Sequence, residues 1–341
     1  MDEILKLHRA LGWLYAGLSL VALSVGIADA QELVLRHVDV AIMGTDLKIS
    51  VLGDDPELLD RAMAAAITEM RRVEDLMTDW RASPLEDLNK SAGTGPAKVP
   101  AELAQIIGRA IELHKLTDGA FDISFASAGR LWDFKRDHPR LPTDAEIKEA
   151  LAFVDASRIK IDAVAGEIEL PAQMRIGLGG IAKGYGVDRA MSVLMAQGVE
   201  HAMVNAGGDL KVLGRKFDQP WEIAIKHPRD RERVLALLKL SNSCLVTSGD
   251  YERFFEKDGK RYHHILDPRT GYPATGCISV SVVGPNAELA DALATAVCVL
   301  PPDRGLALIE KLPRIEALLV TMSGEVLVSS GLKDVVAESE P

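Results

Sequence analysis

A chain of 341 residues with 39 Lys and Arg against 50 Asp and Glu carries a formal charge of −11. The length buries a sizeable core in one large domain or two ordinary ones, while the acidic balance excludes a protein that tracks nucleic-acid phosphates, which needs a basic face. A polyanionic ligand must be met by a local device: a helix N-terminus, a glycine loop or a bound cation.

Residues 1–30 read as an export signal. Lys6 and Arg9 precede the apolar run LGWLYAGLSLVALSVGIADA, which ends in the small-x-small pattern Ala28-Asp29-Ala30. Cleavage after Ala30 gives an exported, periplasmic mature domain over 31–341 that begins at Gln31. Asp2 and Glu3 weaken the basic start, so an uncleaved membrane anchor of about 17 to 20 residues is the alternative. Cys244, Cys277 and Cys298 lack CxxC spacing and are read as buried free thiols.

The run 37–53 alternates around Gly44-Thr45 and predicts strands; 54–77 opens with Asp before Pro and repeats apolar residues at Leu59, Met63, Ile67, Met70, Val73 and Met77, an amphipathic helix. The segment 83–100 is polar and rich in Gly and Pro, and reads as a loop. A second helix is expected over 101–119, with Gly119 at its end, and another at 143–153, where Thr143 and Glu146 have capping-box spacing. From 158 onward short strands dominate, with helices inserted singly at 181–197, 286–299 and 302–311. Strands in runs with isolated helices predict an α+β fold with mixed or antiparallel sheets in one integrated domain, not a doubly wound parallel sheet.

Four segments carry chemistry. RIGLGGIAKGYGVDRA (175–190) sets Gly177, Gly179, Gly180, Gly184 and Gly186 at a helix start, where backbone N–H groups can approach an anion and Lys183 adds a point charge; its spacing fits neither GxGxxG nor GxxxxGKS, and a ligand-free tight loop stays equally open. NAGGDLKVLG (205–214) is a second glycine turn beside Asn205 and Asp209, read first as a plain hairpin. DALATA (291–296) puts Asp291 and Thr295 on one helix face as two hard oxygen ligands suited to Mg²⁺; in isolation a solvated Asp and a Thr bonded back to the helix read as well. RYHHILDPRTGYP (261–273) holds adjacent His263 and His264, which an extended strand points to opposite faces, so at most one is catalytic.

The joint order of motifs is more specific than any of them. MGT (43–45), DLMTDWRASPLEDLN (75–89), GAFDIS (119–124), IGLGGIAKGYGVD (176–188), NAGGD (205–209), TSGDYERFF (247–255), HHILDPRTGYP (263–273) and ADALATA (290–296) together resemble the ApbE family of FAD:protein FMN transferases, over about residues 40–330. The resemblance implies an ApbE-like fold and Mg²⁺-dependent transfer of the FMN half of FAD to a Thr or Ser hydroxyl of an exported or membrane-bound redox protein, with release of AMP. It implies metal coordination by Asp291 and Thr295, helped by backbone oxygens near Gly180 and Ala294. For FAD it points to Met43, Trp80, Ala120, Phe121, Asp122, Gly177, Lys183 and Ile265; His264, with Asp267 following, matches the family's HIIDP motif. A Thr hydroxyl is a poor nucleophile, so a base of pKa near 7 and a cation beside the leaving AMP are expected. A Mg²⁺-dependent FAD pyrophosphatase and a non-catalytic flavin carrier are the alternative readings. Two departures stand out: the family often has Asp where this chain has Gly177, and often Ser-Thr-Tyr where it has Thr78-Asp79-Trp80.

Overall fold

The chain turns back on itself first at Met43-Gly44, where both residues take a left-handed backbone (φ 51° and 71°). Such a two-residue loop matches the right-handed twist of a hairpin, and it pairs Val34–Ile42 with Thr45–Gly53 so that Ile42 faces Thr45. In the second strand Leu47, Ile49 and Val51 are fully buried, and the period of two turns this face to the core. The computed structural model describes residues 33–134, 139–230 and 232–334, so the expected export segment and the expected cut after Ala30 lie outside the described residues. The described residues from Leu33 onward form one compact unit, and no helix among them is long and apolar enough to cross a membrane.

The main sheet has eight strands in the spatial order Val34–Ile42, Thr45–Gly53, His201–Ala206, Asp209–Leu213, Ser243–Gly249, Cys277–Gly284, Glu316–Thr321, Val326–Val328. Every neighbouring pair is antiparallel, so the α+β expectation holds. The helices Pro56–Met77, Ala182–Ala196 and Ala287–Val299 contribute to the larger core cluster, whereas the hairpin of Trp221–Lys226 and Val234–Leu240 packs a second cluster with Leu210, Leu245, Leu318 and Val320.

Local chemistry explains the helices that place the site. Asp55 caps Pro56–Met77 by accepting from the N–H groups of Glu57 and Leu58, each at 3.0 Å, and Pro56 sits in the first turn. The helix ends where Thr78 takes extended backbone. In Ala287–Val299 five alanines keep the surface low, so the helix lies deep in the core. Helix Ala182–Ala196 approaches it through Gly184: a Cβ there would meet the Ala287 carbonyl carbon at 2.6 Å and the Asp291 Cβ at 2.8 Å. That contact fixes Lys183 relative to Asp291.

Pro84–Lys90, read as loop, is a helix: Ser83 accepts from the Glu86 N–H at 2.9 Å and Pro84 starts the first turn. The capping signature was masked by the Gly/Pro-rich residues that follow it. Ser243–Gly249 lies in the interior of the sheet, although its apolar run Cys244-Leu245-Val246 is too short to show a period. The Thr143–Glu146 capping box is present, and all three cysteines are free and buried.

Candidate active site

The glycine segment, the second hairpin and the Ala287–Val299 helix converge on one charged cluster. Lys183 Nζ donates to Asp209 Oδ2 at 2.6 Å, and the Gly184 N–H donates to Asp291 Oδ2 at 3.1 Å. Asp209 is fully buried and Asp291 nearly so. Burial works against the Lys183 charge, yet the Asp209 and Asp291 carboxylates outweigh it and hold its pKa above the ordinary lysine value. Burial and the neighbouring Asp291 push Asp209 well above the carboxylate range, with Lys183 pulling back. Thr295 Oγ1 faces Gly180, 3.4 Å from where a Cβ would stand.

This cluster fits a hard divalent cation. Asp209 Oδ1 is buried with no hydrogen-bond partner, and two carboxylates share one ammonium, so a second positive charge would relieve their repulsion. Among the described residues no group of three or more His, Cys, Asp and Glu side chains forms a ligand set; the donors available are Asp291, the Thr295 hydroxyl and backbone oxygens.

A cleft of about 800 Å³ opens over the cluster, at the upper end of the roughly 300–1,000 Å³ typical of small-molecule sites. Gly177, Gly180, Lys183, Asp291, Thr295, Ala120, Phe121 and Asp122 all line it, with Gly180 set between Phe121 and Thr295. Thr247, Arg253, His264 and Ile265 also line it, and Trp80 stands in the lining with 63% of its surface exposed. The Asp122 carboxylate is committed to the turn. It accepts from the Ser124 N–H at 2.7 Å and the Ala156 N–H at 3.1 Å, with His114 Nδ1 at 3.1 Å. Burial raises its pKa, but His114 and Ser124 outweigh burial and hold it below the ordinary value.

The two histidines separate, His263 closing its strand and His264 following it in a bend. His263 ends the Lys260–His263 strand, buried, its Nε2 3.0 Å from the Ala274 carbonyl oxygen. His264 lines the cleft, held by its N–H donating to the Arg253 carbonyl at 3.0 Å. Its Nδ1 is buried without a partner. Burial, then the Arg253 charge, pushes its pKa down to about 4. The expected base near 7 is therefore replaced by an imidazole that is neutral across the physiological range and weaker than a free one.

Three residues named from the sequence do not line the cleft. Asp267 builds the turn: its carboxylate takes Arg269 Nε and Nη2, each at 2.8 Å, and its carbonyl accepts from Gly271 at 2.8 Å. Met43 is buried in the hairpin loop, and the next two residues, Gly44 and Thr45, line the cleft instead. Ala294 is fully buried beside Thr295. Conversely Asp209, Arg253, Arg175 and Asp79 belong to the site or its frame without having been singled out for it. Asp209 carried a signal in its place after the Gly207-Gly208 turn, and Asp79 in the Thr78-Asp79-Trp80 run that departs from the family resemblance.

Comparison with known proteins identifies the family. The ApbE family matches residues 43–319, and the chain belongs to that family. It is similar to an FAD:protein FMN transferase of Treponema pallidum, 33% identical over 312 residues and 86% of each chain. It is also similar to one of Klebsiella pneumoniae, 34% identical over 82% of this chain and 90% of the relative. Among solved structures, the ApbE protein of Thermotoga maritima superposes with a TM-score of 0.81 at 33% identity, over 90% of this chain and all of the other. The flavin transferase ApbE of Vibrio cholerae gives 0.78 at 30% identity, over 89% of this chain and 100% of the other.

Proposed function

We propose that the protein is an FAD:protein FMN transferase that works with Mg²⁺ outside the cytoplasm, moving FMN from FAD to a Thr or Ser hydroxyl of an exported redox protein. The observation that carries this reading is one cleft with a buried acidic cluster holding Lys183 at one end and a neutral, unpartnered imidazole, His264, in its wall. In the reaction the acceptor oxygen forms a bond to the FMN phosphorus, the bond from that phosphorus to the bridging oxygen breaks, and AMP leaves with the electron pair. The hydroxyl proton goes to His264. A bound Mg²⁺, held by Asp291 and Thr295, would supply charge neutralisation at the diphosphate. Lys183 adds a fixed positive charge beside it, and the glycines of 177–180 let the backbone come close. The diphosphate's negative charge would raise the His264 pKa from its low resting value, making the base stronger once FAD is seated.

Export rests on the 1–30 segment, and with it the choice of an exported acceptor. The test is mass spectrometry of exported redox proteins co-expressed with and without this chain, together with purified protein, FAD, Mg²⁺ and one such acceptor. Covalent FMN on a Thr or Ser supports the transferase. Free FMN and AMP without a modified acceptor would show a pyrophosphatase, and FAD left intact in Mg²⁺ would show a carrier.

A further inference from the structure

His114 does not line the cleft. It stands in the last turn of the helix Ala101–Leu116, with its imidazole against the back of a segment that does. Gly119 ends the helix in a left-handed backbone (φ 75°) that carries the chain across the ring: a Cβ there would stand 3.5 Å from His114 Cε1. The imidazole, 16% exposed, places Nδ1 3.1 Å from Asp122 Oδ2 and Nε2 4.0 Å from Asp155 Oδ1. Nδ1 lacks the alignment of a hydrogen bond, so the attraction is chiefly one of charge and needs the imidazolium.

The other partners of Asp122 are neutral. Oδ1 accepts from the N–H and the hydroxyl of Ser124 at 2.7 and 2.5 Å, and Oδ2 accepts from the Ala156 N–H at 3.1 Å. The Ser124 oxygen in turn accepts from the Asp155 N–H at 2.8 Å. Arg158, on the facing segment, turns its guanidinium to the Ala152 carbonyl at 3.0 Å, so among the described residues His114 is the one cation paired with Asp122. The opposite side of this turn meets the site. Ala120, Phe121 and Asp122 line the cleft, Phe121 Cε2 lies 3.2 Å from where a Gly180 Cβ would stand, and the Gly177 N–H donates to the Ile123 carbonyl at 2.8 Å. A shift of the turn takes the glycine segment with it.

We propose that His114 is a positioning residue for the cleft: as imidazolium it locks the 119–124 turn in the geometry that receives FAD, and as neutral imidazole it leaves Asp122 buried without a counter-charge, so the turn loosens and FAD binds less tightly. The sign of the pH dependence follows from the surroundings. Asp122 chiefly, with Asp155 and the Phe121 backbone, outweighs burial and holds the His114 pKa above its ordinary 6.5. A contribution from such a group is complete below the ordinary value and is lost as pH rises through the raised one. FAD affinity scales with the locked fraction, so it falls over that same rise.

The inference rests on the transferase reading only for FAD as the ligand. The test is equilibrium binding of FAD to the full chain from pH 6 to pH 9, with thermal melts, for His114, His114→Gln and His114→Lys. All three carry His264→Asn, which removes the titration of the cleft imidazole. NMR titration of the His114 Cε1–H in the wild type, free and with FAD, is read beside it. With His114 intact, affinity should fall by about three- to tenfold across the range. His114→Gln should bind weakly and without pH dependence, and His114→Lys, charged throughout, should stay at the tight end. The His114 resonance should titrate above the ordinary histidine value and move higher with FAD. A Gln variant that keeps the pH dependence, a Lys variant as weak as Gln while melting like the parent, or a resonance titrating at or below the ordinary value would each overturn the lock; if both variants melt early, the resonance decides. A wild type that binds no FAD would sink the transferase reading instead, and the resonance of the free chain would still test the lock. FAD binding with this pH dependence but no FMN transfer would sink that reading and uphold the lock.

Discussion

Lys183→Met is the sharpest test of the charged cluster. The substitution keeps most of the aliphatic volume and removes the one ammonium that Asp209 touches, at 2.6 Å. Asp209 is fully buried, and three-quarters of the Lys183 side chain is covered, so solvent screening relieves little of the loss. Breaking one side of such a buried pair costs about 3–5 kcal/mol. A domain of this size has an unfolding entropy of roughly 0.6 kcal/mol/K, so the melting temperature in EDTA should fall by about 5–8 °C. Two corollaries separate this cause from general damage. Saturating Mg²⁺, at about a hundredfold over its dissociation constant, should return close to 2.7 kcal/mol, and at one fixed Mg²⁺ concentration it should stabilise the variant more than wild type because it replaces the lost ammonium beside Asp209. The deficit should also shrink as pH falls: without Lys183 the Asp209 pKa rises further, and a folded pKa above the unfolded one destabilises at high pH and less once the group is protonated. Differential scanning calorimetry over a pH series with EDTA and with Mg²⁺ measures all three. A loss under about 1 kcal/mol, or a gap that Mg²⁺ leaves unchanged, would refute the buried-cluster reasoning.

Other outcomes follow from the same site. Asp291→Ala should abolish transfer while weakening FAD binding much less, with Thr295→Val milder; near-wild-type turnover of Asp291→Ala at low Mg²⁺ would remove it from the metal site. His264→Asn should retain FAD binding and lower transfer by about 10²- to 10⁴-fold, whereas His263→Ala should act on stability, by about 1–3 kcal/mol, because it strips a partner from the buried Ala274 carbonyl. Since the His264 pKa is lowered to about 4 from 6.5, it favours folding above pH 6.5 and that contribution is lost as pH falls toward 4; kcat/KM should keep its acid limb below 6, and a limb at 6 to 7 would contradict the burial argument. Gly184→Ala should destabilise by about 1–3 kcal/mol and weaken Mg²⁺ binding together, because its Cβ meets backbone at Ala287. N-terminal sequencing of exported protein should begin at Gln31, and Met1 on membrane-bound protein would show an uncleaved anchor.

Much of the site was legible because its chemistry is local. Capping at Asp55 and Thr143, the glycine density before Lys183, the one-face spacing of Asp291 and Thr295, and the opposed His263 and His264 are each written in short windows where backbone periodicity and hydrogen-bonding preference act alone. Eleven of the fourteen site residues named from the sequence line the cleft, which matters because the three that do not, Met43, Asp267 and Ala294, share one cause. Each sits inside a recognised motif but serves the backbone there, and adjacency in sequence does not say which member faces the ligand.

The sequence by itself determined the fold class, the starts of the longer helices and the family, since these depend on patterns repeated every two or every three to four residues and on an order of motifs that survives without coordinates. Only the tertiary structure decided that Asp209 is buried against Lys183, that Arg253 and Asp79 line the cleft, and that burial weakens His264 as a base. Those properties arise from charges and volumes brought together from positions tens to hundreds of residues apart: Lys183 against Asp209, Gly184 against Ala287, Asp79 against Gly177. A pKa or a vacancy for a Cβ belongs to that assembled surrounding, where water is excluded and neighbours are fixed, and no window of the chain contains it.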